Sequence, residues 1–402
     1  IAMAGNWACR RLLSGVLRCT ALLLWLARAV SGESTYAGDR DVRFLTCAVP
    51  CEFECENPEV PAAALLRTEP AKRMVTDMKR RVKKGSMAVD LLPQGKRDYT
   101  LKLRSALEEA LNEAPQQKRE SNESQAAPQA VPSKDLPFVL RKLGWSCEEN
   151  CRYDCMVKNR RIRHEKREQQ VHYYGKWPFT RVLGVQELFS SLFSAFNGLP
   201  YLWFLASCTS GIPKGTRTVW LWIFYALAMT NTWLQSTLFH ARENKITELL
   251  DYHGATLGLS ASLSTALMMH LPEHWSVVGS ACLAATPVLL FWFGHVLYLS
   301  FVYFDYGYNM KVAVGLGICT SLSWLTWFLR HRGERRFAWK CIVASLGPYL
   351  VLPLELLDFP PAFGLMDAHA CWHLGTVPMS FVWCSFMQDV IRWEAEAAAS
   401  KV

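Results

Sequence analysis

Apolar residues are spread unevenly along this chain. Up to about residue 182 they come in short, interrupted groups. From 183 onward they gather into runs near 188–207, 218–239, 250–270, 276–300, 310–329, 339–357 and 364–388. Each run approaches the roughly 20 residues that a helix needs to cross a hydrocarbon core. The third is the least apolar, because Asp251 and His253 stand at its start and small residues (GATLGLSASLSTALMM) fill it. Small residues suit close helix packing, so it is kept as a span. The pattern predicts an all-α membrane protein, a seven-transmembrane helix bundle over residues 183–390 followed by a cytosolic tail at 391–402.

The first half is polar by comparison, except at its beginning. Arg10 and Arg11 precede the run LLSGVLRCTALLLWLARAV, and small residues follow at Ser31 and Gly32. This is the layout of a cleaved signal peptide, here residues 1–32, although Arg18 interrupts the run and an uncleaved anchor is the alternative. Two C-x3-C-x3-C clusters lie between the signal and the first span: Cys47, Cys51 and Cys55 in a segment at 33–56, and Cys147, Cys151 and Cys155 in a juxtamembrane segment at 136–182. In an exported chain, six clustered thiols read as up to three disulfides, with 15 possible pairings left open. Residues 57–135 are rich in Lys, Arg, Glu, Gln, Ala and Pro and are expected to be largely disordered, since they offer little apolar surface against their ordering entropy. Asn122-Glu-Ser124 is a candidate glycosylation site.

Composition removes some function classes. The net charge is +9, but no basic stretch alternates with aromatics as a nucleic-acid surface would, and no glycine-rich phosphate loop or internal repeat is visible. Charge also orients the bundle. Lys214 and Arg217 follow the first span, and Arg330, Arg332, Arg335, Arg336 and Lys340 follow the fifth. The positive-inside tendency puts both connections in the cytosol. The opposite, lumenal face then receives ARENKITELLD, VYFDYGYNM and ELLDFPPAFGLMDAH, with most of the acidic residues and histidines.

Ionisable groups at membrane depth are costly and usually functional. His369 and His373, at the start of the seventh run, are four residues apart and so share a helix face. Ser236 and His240 repeat that spacing at the lumenal end of the second run, and Asp251 opens the third. Three imidazoles plus water form a catalytic zinc arrangement, which predicts His240, His369 and His373 as ligands of Zn2+. Asp251 could take the water's proton, and Ser236 could orient water or donate to the oxyanion. Plainer roles compete: Ser236 bonding back to its own helix, Asp251 favoured by a helix dipole, Asp367 capping the seventh helix rather than orienting a histidine. A Ser236–His240–Asp251 triad is also conceivable, but leaves the His369/His373 pair unexplained. His253, His270, His274 and His295 read as ordinary interfacial residues.

The motifs YYGKWPFTR, FNGL, STLFHARENKITELLDYHGA, FDYGYN, LELLDFPP and DAHACWHL, in this order, resemble those of the Per1-like family of post-GPI-attachment-to-proteins factors. The resemblance runs from residue 147 to about 390, and the cysteine clusters fit it. It places the chain in a superfamily of seven-helix membrane hydrolases that includes the alkaline ceramidases and the adiponectin receptors. Their shared pattern, Ser-x3-His, an Asp opening the third helix and His-x3-His, falls on Ser236, His240, Asp251, His369 and His373. The resemblance implies a GPI-specific phospholipase A2 in the Golgi membrane that removes the sn-2 acyl chain from GPI-anchored proteins. Alternatives are a receptor or scaffold with a structural zinc and a ceramidase-like amidase. The long 57–135 insertion departs from the family pattern. For topology, we predict that a tag within RHRGERRF is reached by antibody once the plasma membrane alone is permeabilised, and that a tag near Asn122 is reached only when internal membranes are opened too.

Overall fold

The computed structural model describes residues 41–57, 66–81, 96–113, 136–209, 216–272 and 274–400. The expected signal segment and Asn122 lie outside the described residues. Helices carry the fold, and β structure among the described residues is limited to isolated bridges joining Tyr173 to Lys176, Val182 to Val185 and Ala362 to Met366. The chain forms two compact units. Among the described residues, those from 41 to 186 with 359–367 make one, and those from 187 to 358 with 368–400 belong to the other.

The first unit is built on cysteine spacing. Helices α1 (Val42–Glu56) and α5 (Cys147–Glu165) carry their cysteines at every fourth position, which lines three thiols along one face of each. Run antiparallel, the two stripes meet as a ladder: Cys47–Cys155, Cys51–Cys151 and Cys55–Cys147. One pairing of the fifteen is thereby selected. The first bridge to form closes a loop of roughly 100 residues, worth about 4–5 kcal/mol in the chain-entropy picture, while the others close much shorter circuits.

Two further helices, α2 (Glu69–Arg81) and α3 (Lys96–Glu113), fall inside the segment expected to be disordered. That expectation does not hold over these residues. Ala71 and Met78 on α2 and Leu103, Leu107 and Ala110 on α3 are buried against Leu45, Val49 and Phe53 of α1. Averaged composition hid the periodic placement of those few apolar residues. A short α4 (Phe138–Lys142) precedes α5.

At the head of α1, Asp41 accepts a hydrogen bond from the backbone N–H of Arg43 and pairs with two guanidinium groups, Arg43 at 3.0 Å and Arg163 at 2.6 Å. Asp41 and Arg163 are fully buried. Burial alone would raise the Asp41 carboxyl pKa, but hydrogen bonds from Arg43 and Asn159 and the charges of Arg163 and Arg43 outweigh it and hold the pKa below the usual range.

The second unit is a helical bundle: α6 (Leu188–Thr209), α7 (Val219–Ala241), α8 (Lys245–Met268), α9 (Val277–Ala284), α10 (Thr286–Leu297) continued by a π-helical turn at Tyr298–Val302, α11 (Tyr306–His331), α12 (Trp339–Leu357) and α13 (Ala368–Ala399). Contacts run α6 to α7 to α8 to α11 to α12 to α13 and back to α6, a closed ring, with α9 and α10 laid against α8. Small residues set the α7–α8 spacing: Thr232 Oγ1 donates to Gly254 O at 2.6 Å, and a Cβ on Gly258 would lie 2.7 Å from the same hydroxyl. One end of the ring is filled by Trp222, Trp324, Trp327, Trp383 and Phe386, with ring centroids 4.9–6.3 Å apart between Trp324 and its three neighbours Trp222, Trp383 and Trp327. His240 lies 18 residues beyond Trp222 on α7, about 27 Å along the axis. The aromatic plug and the histidines therefore occupy opposite ends.

Among the described residues, three helices, Leu188–Cys208, Tyr306–His331 and Trp339–Leu357, are long and apolar enough to cross a membrane, or four if the pair Val277–Ala284 and Thr286–Val302, bent by 41°, is one span. Pro287 accounts for the bend, since it removes a backbone donor and crowds the preceding turn. The expected tail is no separate element. α13 continues to Ala399, and the Glu394 carboxylate accepts from the backbone N–H groups of Arg217 and Thr218, capping α7.

Replacing Asp41 with Asn leaves Arg163 buried against a neutral side chain and should destabilise the first unit by about 3 kcal/mol or more at pH 7. Because the folded carboxyl is the stronger acid, its stabilisation is complete above the unfolded value near 4 and is lost as pH falls through the folded one. Thermal unfolding of the two proteins, with bridges intact, should therefore converge below about pH 4; a gap that stays constant down to pH 2 would contradict this account.

Candidate metal centre

His240 is the penultimate residue of α7, and His369 and His373 lie in the first two turns of α13. The ring contact between α6, α7 and α13 brings the two helix ends together. Three Nε2 atoms converge: His369 to His240 at 3.3 Å, His373 to His240 at 3.2 Å and His373 to His369 at 3.0 Å. His240 and His373 are buried and His369 is partly so. Four-coordinate zinc with Zn–N bonds near 2.0–2.1 Å separates its nitrogen ligands by about 3.3–3.4 Å, close to this triangle.

The far side of each ring decides which nitrogen carries the proton. His240 Nδ1 lies 2.6 Å from Glu187 Oε2, and His369 Nδ1 lies 2.7 Å from Glu355 Oε2. An ionised carboxylate only accepts, so in the neutral imidazoles both Nδ1 atoms carry the proton and both Nε2 lone pairs face the centre. Glu187 is held twice, since its backbone N–H also donates to His240 O at 2.9 Å and satisfies a carbonyl at the end of α7. His373 is fixed through its backbone. Asn197 Nδ2 donates to His373 O at 2.9 Å and to Thr376 Oγ1 at 3.2 Å, while Asn197 Oδ1 accepts from Ser380. Trp233 meets the His373 ring edge-on at 5.8 Å. The donor set, neutral nitrogens backed by carboxylates, suits a divalent ion of borderline softness such as zinc.

A model of the Per1-like family matches residues 137–391. The chain belongs to that family. A Xenopus tropicalis protein named GPI-specific phospholipase A2-like PGAP3 is 35% identical over 255 residues, covering 63% of this chain and 80% of the relative. The Homo sapiens protein of the same name is 34% identical over 253 residues, covering 63% and 78%. A Schizosaccharomyces pombe protein named Protein PER1 homolog is 37% identical over 281 residues, covering 66% and 82%. The match to the Per1-like model takes in the second cysteine helix and the bundle as far as Ile391 of α13, and leaves out α1 to α3.

Of the five residues singled out in the sequence, the three histidines meet at one point. Ser236 lies one turn before His240 and is buried, with its Oγ 3.0 Å from Ser194 Oγ on α6. The hydroxyl is thus engaged across helices. Asp251 is half-buried and lies outside the group of ligand atoms within 4.8 Å of one another. It does not begin its helix. α8 starts six residues earlier, at Lys245, where Asn244 forms a capping box with Thr247 and Glu248 occupies the first turn. A dipole role accordingly fits Glu248 rather than Asp251. Asp367 immediately precedes α13 and is buried.

Sequence reasoning missed Glu187, Glu355 and Asn197. Glu355 stands within LELLDFPP and Asn197 within FNGL, motifs whose resemblance assigns neither residue a role, while Glu187 stands one residue before an apolar run and looks like an interfacial charge. The available signal was a carboxylate inside or against each of two spans, which is expensive without a partner. We predict that Glu187→Gln and Glu355→Gln each weaken zinc binding by about 10- to 100-fold in chelator competition on the purified protein, because an amide does not favour the Nδ1–H tautomer. Unchanged affinity in both would reduce the carboxylates to helix-end contacts.

Proposed function

We propose that this protein is a metal-dependent acyl-ester hydrolase that removes the sn-2 fatty acid from the lipid of GPI-anchored proteins, with its site at the lumenal ends of seven membrane-crossing helices in the Golgi. The observation that carries the reading is the convergence of three Nε2 atoms with two of the rings held by carboxylates. The names of the relatives supply the substrate class, and helical segments on all seven expected spans support the topology. The signal peptide and Golgi placement rest on the sequence and the family.

The residues divide the work as follows. His240, His369 and His373 would hold the ion, and Glu187 and Glu355 keep two of those rings in the ligating tautomer. A zinc ion bound there would make water acidic near neutral pH and polarise the ester carbonyl. Asp251 accepts the proton that water gives up, and the Ser236 hydroxyl donates to the oxygen that gains charge. Net hydrolysis consumes one water and yields a lyso-lipid and a free fatty acid, the proton passing from Asp251 to the departing alkoxide. Burial at the helix ends strengthens each of these interactions by lowering the local dielectric.

In cells lacking the protein, GPI anchors should retain their original sn-2 chains, and re-expression should restore remodelling. His373→Ala should lose bound zinc and activity together, because a three-ligand site has none to spare. Asp251→Asn should keep zinc near wild-type stoichiometry while hydrolysis falls by about 100-fold, the usual scale for losing a general base. Anchors unchanged by the knockout would refute the assigned substrate. Full remodelling by normally abundant, zinc-free His373→Ala protein would refute the metal mechanism.

A further inference from the structure

The cysteine-linked unit contains three tight turns that share one backbone feature. In Tyr173–Lys176, Val182–Val185 and Ala362–Met366, an isolated bridge closes the turn and two successive residues have positive φ: Tyr174 and Gly175, Leu183 and Gly184, Phe363 and Gly364. Glycine tolerates that conformation and Asn is the usual non-glycine occupant; Tyr, Leu and Phe are poorly suited to it. Three bulky residues at left-handed positions in one unit call for a reason in what their side chains touch.

For Tyr174 the reason is internal. Its ring lies 5.9 Å from that of Phe44 and beneath the Arg152 guanidinium at 5.5 Å, and it is 46% exposed. Leu183 and Phe363 are different. They are 84% and 99% exposed, and both project from turns that are themselves firmly held. Gly184 is packed on α4, where a Cβ would meet Leu143, Leu140 and Val139, and its carbonyl accepts from Trp145 Nε1 at 3.1 Å. Gly364 O accepts from Thr180 N at 2.7 Å, and Arg160 bonds Pro178 O and Thr180 Oγ1 beside it. The Thr180–Gly364 bond ties the Phe363 turn to the segment that leads into the Leu183 turn. Phe138 and Val139 of α4 add 64% and 45% exposed apolar surface next to the Leu183 turn, and Lys142 lies over the Phe138 ring at 5.5 Å.

Chain length says what covers this surface. Leu183 is five residues before Leu188, where α6 begins, and Phe363 is six residues after Leu357, where α12 ends; both helices are among those long and apolar enough to cross a bilayer. At about 3.5 Å per residue, neither tip can be farther than roughly 20 Å from the end of a span. Tethers that short allow both tips to reach the headgroup layer and the first acyl carbons. Exposed apolar residues within the spans are expected to face lipid; Leu183 and Phe363 lie outside the spans, so that explanation does not extend to them. We propose that Leu183 and Phe363, with Phe138 and Val139 beside them, form a rigid wedge that inserts into the lipid interface, with Arg141 and Lys142 at the phosphate level. It requires only that α6 and α12 cross the bilayer and holds whichever ester is cleaved. The Phe363 turn leads within six residues to His369.

Hydroxyl-radical footprinting of the unsubstituted full-length protein in phosphatidylcholine nanodiscs tests this without any variant. Facing water, Phe363 and Leu183 should be oxidised, after correction for intrinsic reactivity, at least as fast as the less exposed Tyr174. Inserted in lipid, they should fall about fivefold or more below it. Photoreactive benzoylphenylalanine at 183 or 363 should then yield phosphatidylcholine adducts, and the same residue at 174 should not. Oxidation of Phe363 and Leu183 above Tyr174 would overturn the proposal. So would protection accompanied by adducts to protein alone, which would assign the patch to a second copy or a partner protein.

Discussion

Three imidazole nitrogens within 3.3 Å of one another are the constraint from which the bundle can be understood. Nδ1 of two of the rings is committed to a carboxylate, so at most one N–H, that of His373, can stand among three nitrogens. Left to themselves such nitrogens repel; a cation at their focus makes the same arrangement favourable. Holding them there is a task for the whole bundle. His240 sits at the end of one helix and the other two histidines at the start of another, so the position of the focus depends on the packing of α6, α7 and α13.

The bundle meets that demand by dividing its length. The closed ring is locked at one end by stacked tryptophans, where Arg335 also lies 3.9 Å from Trp393 and Lys340 pairs with Asp389 at 2.5 Å. With one end rigid, the other can carry polar groups that contribute little to packing. The groups that position the site are themselves bonded: Asn197 links α6 to the His373 carbonyl, Ser194 links α6 to Ser236, and Glu187 joins the start of α6 to the end of α7. α6 and Glu187 immediately before it contribute no ligand, yet they make all three of these connections.

The cysteine-linked unit solves a different problem. A segment with this composition has a modest apolar core, and the three bridges compensate by restricting the unfolded chain. Asp41 with Arg43 and Arg163 adds a buried ionic node whose value lies in orienting the ends of α1 and α5 as much as in net stability. On that base, the Leu183 and Phe363 turns can present apolar tips without support from neighbouring side chains.

Much of this was legible in the sequence because it depends on local period. Runs of about 20 apolar residues located seven helical regions, fourfold spacing paired His369 with His373 and Ser236 with His240, and the same spacing marked each cysteine stripe. Other features depend on which helices become neighbours, and periodicity carries no information about that. The choice of one disulfide pairing needed the antiparallel docking of α1 on α5. The roles of Glu187 and Glu355 needed α6 and α12 brought to the histidines, and burial of Met78 and Leu107 needed α1 beneath them. Asp251 moved from a helix start to a second turn because the cap at Asn244 lies in a polar stretch that hydropathy passes over. Local spacing constrains which face a side chain occupies; only tertiary packing decides what stands opposite that face, and in this protein the proposed chemistry lies between opposed faces.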